Sequence, residues 1–167
     1  MIDISKLSKS YSVRILKEAD VEMLVDVCRQ NTVFYEYTEA RPTSENILDD
    51  MKATPPGITI ADKYYFGLFD GKQLVAIMDL IDGYPKPEIV YIGFFMMNPK
   101  YQGKQIGTAI IDEVIDYLQS IGKTSIQLAI DKGNPQSMHF WKKNGFDVLS
   151  EADVNGWTKL VAERKLP

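Results

Sequence analysis

Two spacings of apolar residues take turns along this chain. From Tyr11 to Leu16 apolar and polar side chains alternate, as on a half-buried strand, whereas Val21, Leu24, Val25 and Cys28 recur at helical intervals. In RPTSENILDDMKA, Thr43 or Ser44 offers an N-cap to a second helix, which the TPPG stretch from Thr54 to Gly57 ends. KYYFGLF and KQLVAIMDLI read as two strands joined by an Asp70-Gly71 hairpin turn, and a third apolar run extends from Glu88 to Met97. Ile106, Ile110, Val114, Leu118 and Ile121 then draw the longest helical stripe, with Gly122 placed as a left-handed cap beyond its end. Ser125 to Ile130 resumes strand character. Asn134, Pro135 and Gly145 frame another helix as N-cap, first helical residue and terminator, and two closing runs flank an Asn155-Gly156 turn.

The order β-α-α-β-β-β-α-β-α-β-β predicts an α/β architecture: a mixed, mostly antiparallel central sheet of about seven strands with helices on both faces. Strands four and five, joined by the long helix, are expected to run parallel. No repeat, low-complexity tract or linker interrupts the pattern, so residues 1–167 are expected to form a single domain.

Composition narrows the chemistry. At 45 % hydrophobic and 25 % charged residues the balance is that of a globular protein, and the net charge of -4 argues against nucleic acid as a partner. One cysteine, Cys28, excludes an internal disulfide, and one histidine, His139, leaves no His/Cys zinc cluster, so no metal is expected. No apolar stretch has membrane length and none reads as a secretory leader; a cytoplasmic location without a membrane partner is expected.

The turn between the third apolar run and the long stripe carries the candidate chemistry. Gly103 and Gly107 bracket a helix start, where unpaired main-chain N–H groups and the positive end of the helix dipole stabilise an anion without a dedicated side chain. Lys104 adds a positive charge and Thr108 a hydroxyl. The same pattern also describes a glycine-containing helix start that binds nothing. Nucleotide loops of the GxxxxGK[ST] type are absent, and GxGxxG would need glycine at Gln105.

Gln102-Gly103-Lys104-Gln105-Ile106-Gly107 resembles the Q/R-x-x-G-x-G/A signature of the GNAT family of N-acetyltransferases, with Gln105 in place of the middle glycine. That substitution calls for an unstrained helical backbone and room beside the ligand. A second family element follows about thirty residues on, in Asn134, Ser137, Phe140-Trp141 and Gly145-Phe146. The resemblance covers roughly Tyr11 to Glu163. It implies the GNAT acyl-CoA acyltransferase fold with splayed fourth and fifth strands, and acetyl-CoA (coenzyme A) as cofactor. The pyrophosphate would lie on Gln102, Gly103, Lys104, Gln105, Ile106, Gly107 and Thr108, and the pantetheine along Phe95, Met96 and Met97, with Asn134, Ser137 and Trp141 alongside. Phe95 N–H would polarise the acetyl carbonyl.

Direct attack of a primary amine on a thioester needs juxtaposed reactants, a neutral amine and a tolerable leaving sulfur, and no covalent enzyme intermediate. Cys28, on an apolar helical stripe, therefore reads as core. Many family members carry a tyrosine as general acid where this chain has Trp141, whose indole donates a hydrogen bond but releases no proton near neutral pH. With a thiol pKa of about 8.5, protonating the thiolate at pH 7 is favourable by about 2 kcal/mol, so losing the acid slows the reaction by at most ~10²–10⁴ without abolishing it. His139 is one replacement for it. Tyr91 stands where histone-acetylating relatives carry a glutamate base, and Asp79 and Glu36 are other candidates. By resemblance, the loop between the first two helices, with Tyr35, Glu36 and Tyr37, would shape the acceptor pocket together with Asp79. The partners implied are a small-molecule or peptide amine and at most a second copy of the chain in a homodimer. A non-catalytic acyl-CoA-binding or regulatory module of the same fold is the alternative.

Overall fold

The computed structural model describes residues 1–167. Its elements are β1 (Ser12–Ile15), α1 (Val21–Arg29), α2 (Thr32–Glu36), α3 (Ser44–Lys52), β2 (Lys63–Asp70), β3 (Gln73–Asp82), β4 (Ile89–Met97), α4 (Ile106–Ser120), β5 (Ser125–Asp131), α5 (Pro135–Lys143), β6 (Asp147–Val154) and β7 (Trp157–Lys165). The strands form one sheet in the order β1-β2-β3-β4-β5-β7-β6. Only β4 and β5 pair in parallel. This is the mixed, mostly antiparallel seven-stranded sheet that the spacing predicts. No helix is long and apolar enough to cross a membrane.

Strand alternation sends successive side chains to opposite faces, and each face gains its own core. On one face Phe66, Leu68, Met78 and Leu80 pack with Ile110, Ile111, Val114 and Leu118 of α4 and with Trp141 of α5. On the other, Tyr65, Phe69, Ile77 and Met96 pack under Leu24, Val25, Val27 and Cys28 of α1 and Ile47 of α3. Burying each of these aliphatic side chains contributes about 1.5–3 kcal/mol.

Three local readings need correction. The segment expected to be a loop between the first two helices contains α2, whose Thr-Val-Phe-Tyr-Glu sequence has weak helix propensity; Phe34 and Tyr35 hold it by packing against the α1–α3 core. The β2–β3 hairpin turns at Gly71-Lys72, one residue later than expected, with Asp70 paired to Gln73 and Gly71 at φ +58°. Gly at the first loop position is the II′ geometry that matches strand twist. Gln105 is not in a helical conformation: it sits at φ 63°, ψ 11°, in the left-handed region. The other turn signals are found as read, with Gly122 left-handed past α4 and Asn155-Gly156 at φ 52° and 82°.

Two irregularities shape the middle of the sheet. In β4, Gly93 is an extra residue: Asp79 pairs with Phe94, and Leu80 with Ile92. Beyond it the parallel pairing stops, since β4 and β5 are matched only from Ile89↔Ser125 to Ile92↔Leu128. The remaining half of β4 therefore diverges from β5 and leaves an open wedge.

Candidate active site

The wedge opens onto a cavity of about 320 Å³ between β4, the head of α4 and α5. Its β4 wall is Phe95, Met96 and Met97. Antiparallel alternation fixes which way their amides point. Asn98 N–H donates to Val75 O at 2.8 Å, so the pairs at Met96 and Phe94 also bond toward β3. Phe95 and Met97 then turn their N–H groups away from β3, into the wedge. Met97 O accepts from Asn31 Nδ2 at 3.1 Å and Gln102 Nε2 at 3.4 Å, consistent with that direction.

The floor of the cavity is the turn into α4. None of the six main-chain N–H groups from Gly103 to Thr108 donates a hydrogen bond within the protein. Helix geometry explains half of them, because the first turn of a helix has no preceding carbonyls; the left-handed Gly103 and Gln105 turn the others out of reach. Gly107 is helical but hemmed in: a Cβ there would lie 3.0 Å from the Phe140 ring. The side chains of the turn divide. Gln102 is tied inward by a 2.7 Å bond from its Nε2 to Asn31 Oδ1. Ile106 and Thr108 line the cavity, whereas Lys104 is exposed and does not. A positive charge on the cavity wall comes instead from Lys143, which donates to Gln105 Oε1 at 2.5 Å.

From α5 the cavity receives Ser137, Phe140 and Trp141, together with His139. Asn134 caps the helix by accepting from Ser137 N–H at 3.2 Å; it is 1 % exposed, lies behind the lining, and keeps a buried Nδ2 without a partner. Trp141 is locked among Phe95, Phe140 and Phe146 with ring centroids 5.8, 4.9 and 5.1 Å away.

The other expected residues gather elsewhere. Tyr91 and Asp79 line a second cavity, of about 380 Å³, on the α1–α3 side of β4. Burial pushes the Tyr91 phenol above its ordinary pKa. Tyr35 packs into the core beside Cys28, and Glu36 and Tyr37 line neither cavity. Cys28 is 1 % exposed, and burial raises its thiol pKa, as suits a core residue.

Several residues on these walls carry no signal in the sequence. Asn31 and Phe34 reach the first cavity from the α1–α2 junction, and Lys63, Tyr65 and Asp50 reach the second from β2 and α3. Lys63 Nζ donates to Asp79 Oδ2 at 2.7 Å, with the two side chains only 2 % and 8 % exposed. A lysine at a strand start has no spacing that announces such a pairing.

A family model described as the acetyltransferase (GNAT) family matches residues 24–146. An uncharacterized N-acetyltransferase of Methanocaldococcus jannaschii is 30 % identical over 81 residues, 48 % of this chain and 35 % of the relative. A spermine/spermidine N(1)-acetyltransferase of Bacillus subtilis is 28 % identical over 101 residues, 60 % of this chain and 66 % of the relative. The chain thus spans less than two thirds of either relative. The crystal structure of spermidine N-acetyltransferase from Vibrio cholerae in complex with CoA and spermine superposes with a TM-score of 0.68 at 16 % identity, covering 95 % of this chain and 97 % of that one. The chain belongs to the acetyltransferase (GNAT) family.

Proposed function

We propose that this member of the acetyltransferase family is an acetyl-CoA-dependent N-acetyltransferase that transfers an acetyl group directly to a primary amine of a small molecule or peptide. The observation that carries the reading is the run of six unbonded main-chain N–H groups from Gly103 to Thr108 at the head of α4. Backbone donors converging on a helix N-terminus suit a diphosphate. The residues present fit coenzyme A: an open wedge beside β4 for an extended arm, a glycine where a Cβ would meet Phe140, and Lys143 on the cavity wall.

When bound, the cofactor supplies an acyl group activated as a thioester. The chain's own residues do the rest. Gly103 to Thr108 would hold the diphosphate, with Gln102 braced by Asn31; Phe95 and Met97 N–H would pair with the extended arm; Ser137 and Trp141 would flank it, with Asn134 behind them. Phe95 N–H, which turns into the wedge, would stabilise the negative charge that develops on an acyl oxygen there; removing one such donor costs about 2.7–4 kcal/mol in enzymes that depend on it. Tyr91 and Asp79, which line the second cavity, would face the amine, and the Tyr35–Tyr37 segment, which lines neither cavity, would act on it only indirectly. Polyamines are one acceptor class to test, since two relatives carry them in their names. The 167 residues act as one domain, in the cytoplasm.

The second reading, a binding module without catalysis, is favoured by one observation: Trp141 occupies the position of the proton donor and is locked in an aromatic cluster. Calorimetry with acetyl-CoA, alongside thiol release with polyamines, aminoglycosides, amino acids and peptide N-termini, separates the two. Turnover of any amine supports the enzyme; tight binding without turnover supports the module; no binding refutes both.

A further inference from the structure

The second cavity lies against the same stretch of β4 as the first, on its other side. Gly93 and Phe94 face it, while Phe95, Met96 and Met97 face the first. Phe94 stacks edge-on against Phe34, a residue of the first cavity's wall, at 5.9 Å, so one aromatic pair stands between the two spaces. The extra residue Gly93 sits at the junction. A Cβ on it would fall 2.5 Å from Asp79 Oδ2, so the absent side chain is what lets the carboxylate approach the strand there.

Asp79 is an unusual group to find at such a point. It is 6 % exposed, one oxygen is held by Lys63, and the other, Oδ1, is buried with no partner. Burial pushes the carboxyl up to about 6, with Lys63 pulling the other way and Asp50 adding a little upward. The groups that face it are Lys63 and Tyr65 from β2, Asp50 from α3, Tyr91 from β4 and Tyr84 from the loop between β3 and β4. The rest of the lining, Ala53, Thr54, Pro55, Ile81, Gly93 and Phe94, is mostly apolar.

We propose that the second cavity binds the acceptor amine, that the Asp79 carboxylate, held by Lys63, takes its proton, and that the acceptor is a small amine with a single positive charge and an apolar body. This rests on the reading of the first cavity as the thioester site. One proton passes from the ammonium to Asp79, leaving a neutral amine. Its lone pair forms the C–N bond as the C–S bond breaks, and the nitrogen loses its second proton in the same conversion. Of the two protons released, one ends on the sulfur and one in solvent. The charge balance sets the substrate class. Lys63 already neutralises Asp79, and the other carboxylate on the lining, Asp50, is exposed at the mouth. A polyamine would bring two or more further ammonium groups with no carboxylates inside to receive them, whereas Tyr84, Tyr91 and Phe94 line the cavity with aromatic rings that suit one cation with an apolar body, the Tyr65 ring being already under Lys63 Nζ at 5.7 Å.

The test compares wild type, Asp79→Asn and Lys63→Met, with 2-phenylethylamine and spermidine as acceptors. Three measurements are made: acetyl-CoA calorimetry, the pH dependence of kcat/KM, and the carbon-13 titration of the Asp79 carboxyl without substrates. In wild type the acidic limb and the carboxyl midpoint are both expected near pH 6. Asp79→Asn is expected to keep its acetyl-CoA affinity, lose the limb, and fall in kcat by about 10²-fold or more. Lys63→Met removes the opposing cation, so limb and midpoint move together to higher pH by about one unit; this variant carries the test if Asp79→Asn does not fold. Wild type is expected to prefer 2-phenylethylamine. An unchanged limb in Asp79→Asn, an unmoved midpoint in Lys63→Met, or higher kcat/KM with spermidine overturns the proposal while leaving the first cavity's reading intact. Failure of wild type to bind acetyl-CoA overturns both, and binding without turnover of either amine overturns the acceptor assignment.

Discussion

The two cavities share β4 as a wall and are made in opposite ways. The first is built from main chain: a diverging strand, a left-handed turn and a helix start leave N–H groups without partners around one space, and the side chains there are polar and apolar in about equal measure. The second is built from side chains, Lys63, Asp79 and four aromatic rings, delivered by β2, β3, β4 and the loop between β3 and β4. A backbone site can hold a chemical constant such as a diphosphate while sequence around it drifts. A side-chain site changes its ligand whenever one wall residue changes. On the proposed reading, this division would let one fold keep a common donor and vary its acceptors.

Substitutions on either side of β4 should therefore fail in different assays. Gly107→Glu is expected to have the largest effect, because it forces a side chain against Phe140 and places an unpaired negative charge beside the anion site. At about 3–5 kcal/mol, acetyl-CoA affinity should fall by about 10²–10⁴-fold in calorimetry, and unchanged affinity would remove the turn from the site. Gly93→Ala tests the other side. The new Cβ must displace the Asp79 carboxylate, so urea unfolding should report a loss of about 1–3 kcal/mol while acetyl-CoA binding persists; equal loss of binding would mean the cavities are not separable.

Trp141→Tyr returns a titratable group to the first cavity at the expense of packing among Phe95, Phe140 and Phe146. An increase of about tenfold in kcat is expected if proton delivery to sulfur limits the rate. No gain would show that the proton leaves by another path. The smallest effect should come from Gln105→Gly, which relieves a left-handed side-chain-bearing residue but loses the Lys143 bond. A net gain of about 0.5–1 kcal/mol in stability, with a few-fold tighter acetyl-CoA binding, is expected. Weaker binding would show that the Gln105–Lys143 pair shapes the diphosphate site.

Much of the first cavity was legible because its signals are short-range. Gly103 and Gly107, the stripe from Ile106 to Ile121, and Asn134 with Pro135 each report on backbone geometry within a few residues, and a cap or helix start is settled locally. Gln105 was misjudged because its type favours a helix, whereas its left-handed conformation is imposed by the turn it completes and braced by Lys143 from another helix. α2 escaped for a related reason: tertiary packing of Phe34 and Tyr35 makes a helix that propensity does not.

The amino-acid order by itself determined the succession of elements, the anion-ready helix start and the family, because periodicity and capping act along the chain. What lies opposite what was decided only by the fold, and Lys63 with Asp79 shows why. Pairing across the β2–β3 hairpin shifts at Leu68/Phe69, where Val75 is an extra residue, and from there Tyr65 faces Asp79 and Lys63 faces Ile81. Were Val75 paired with Leu68 instead of bulged, Lys63 would pair with Leu80 and point to the opposite face from Asp79, since a single-residue slip inverts every side chain beyond it. A bulge leaves almost no mark in composition or spacing, yet it determines whether the second cavity contains an ion pair at all.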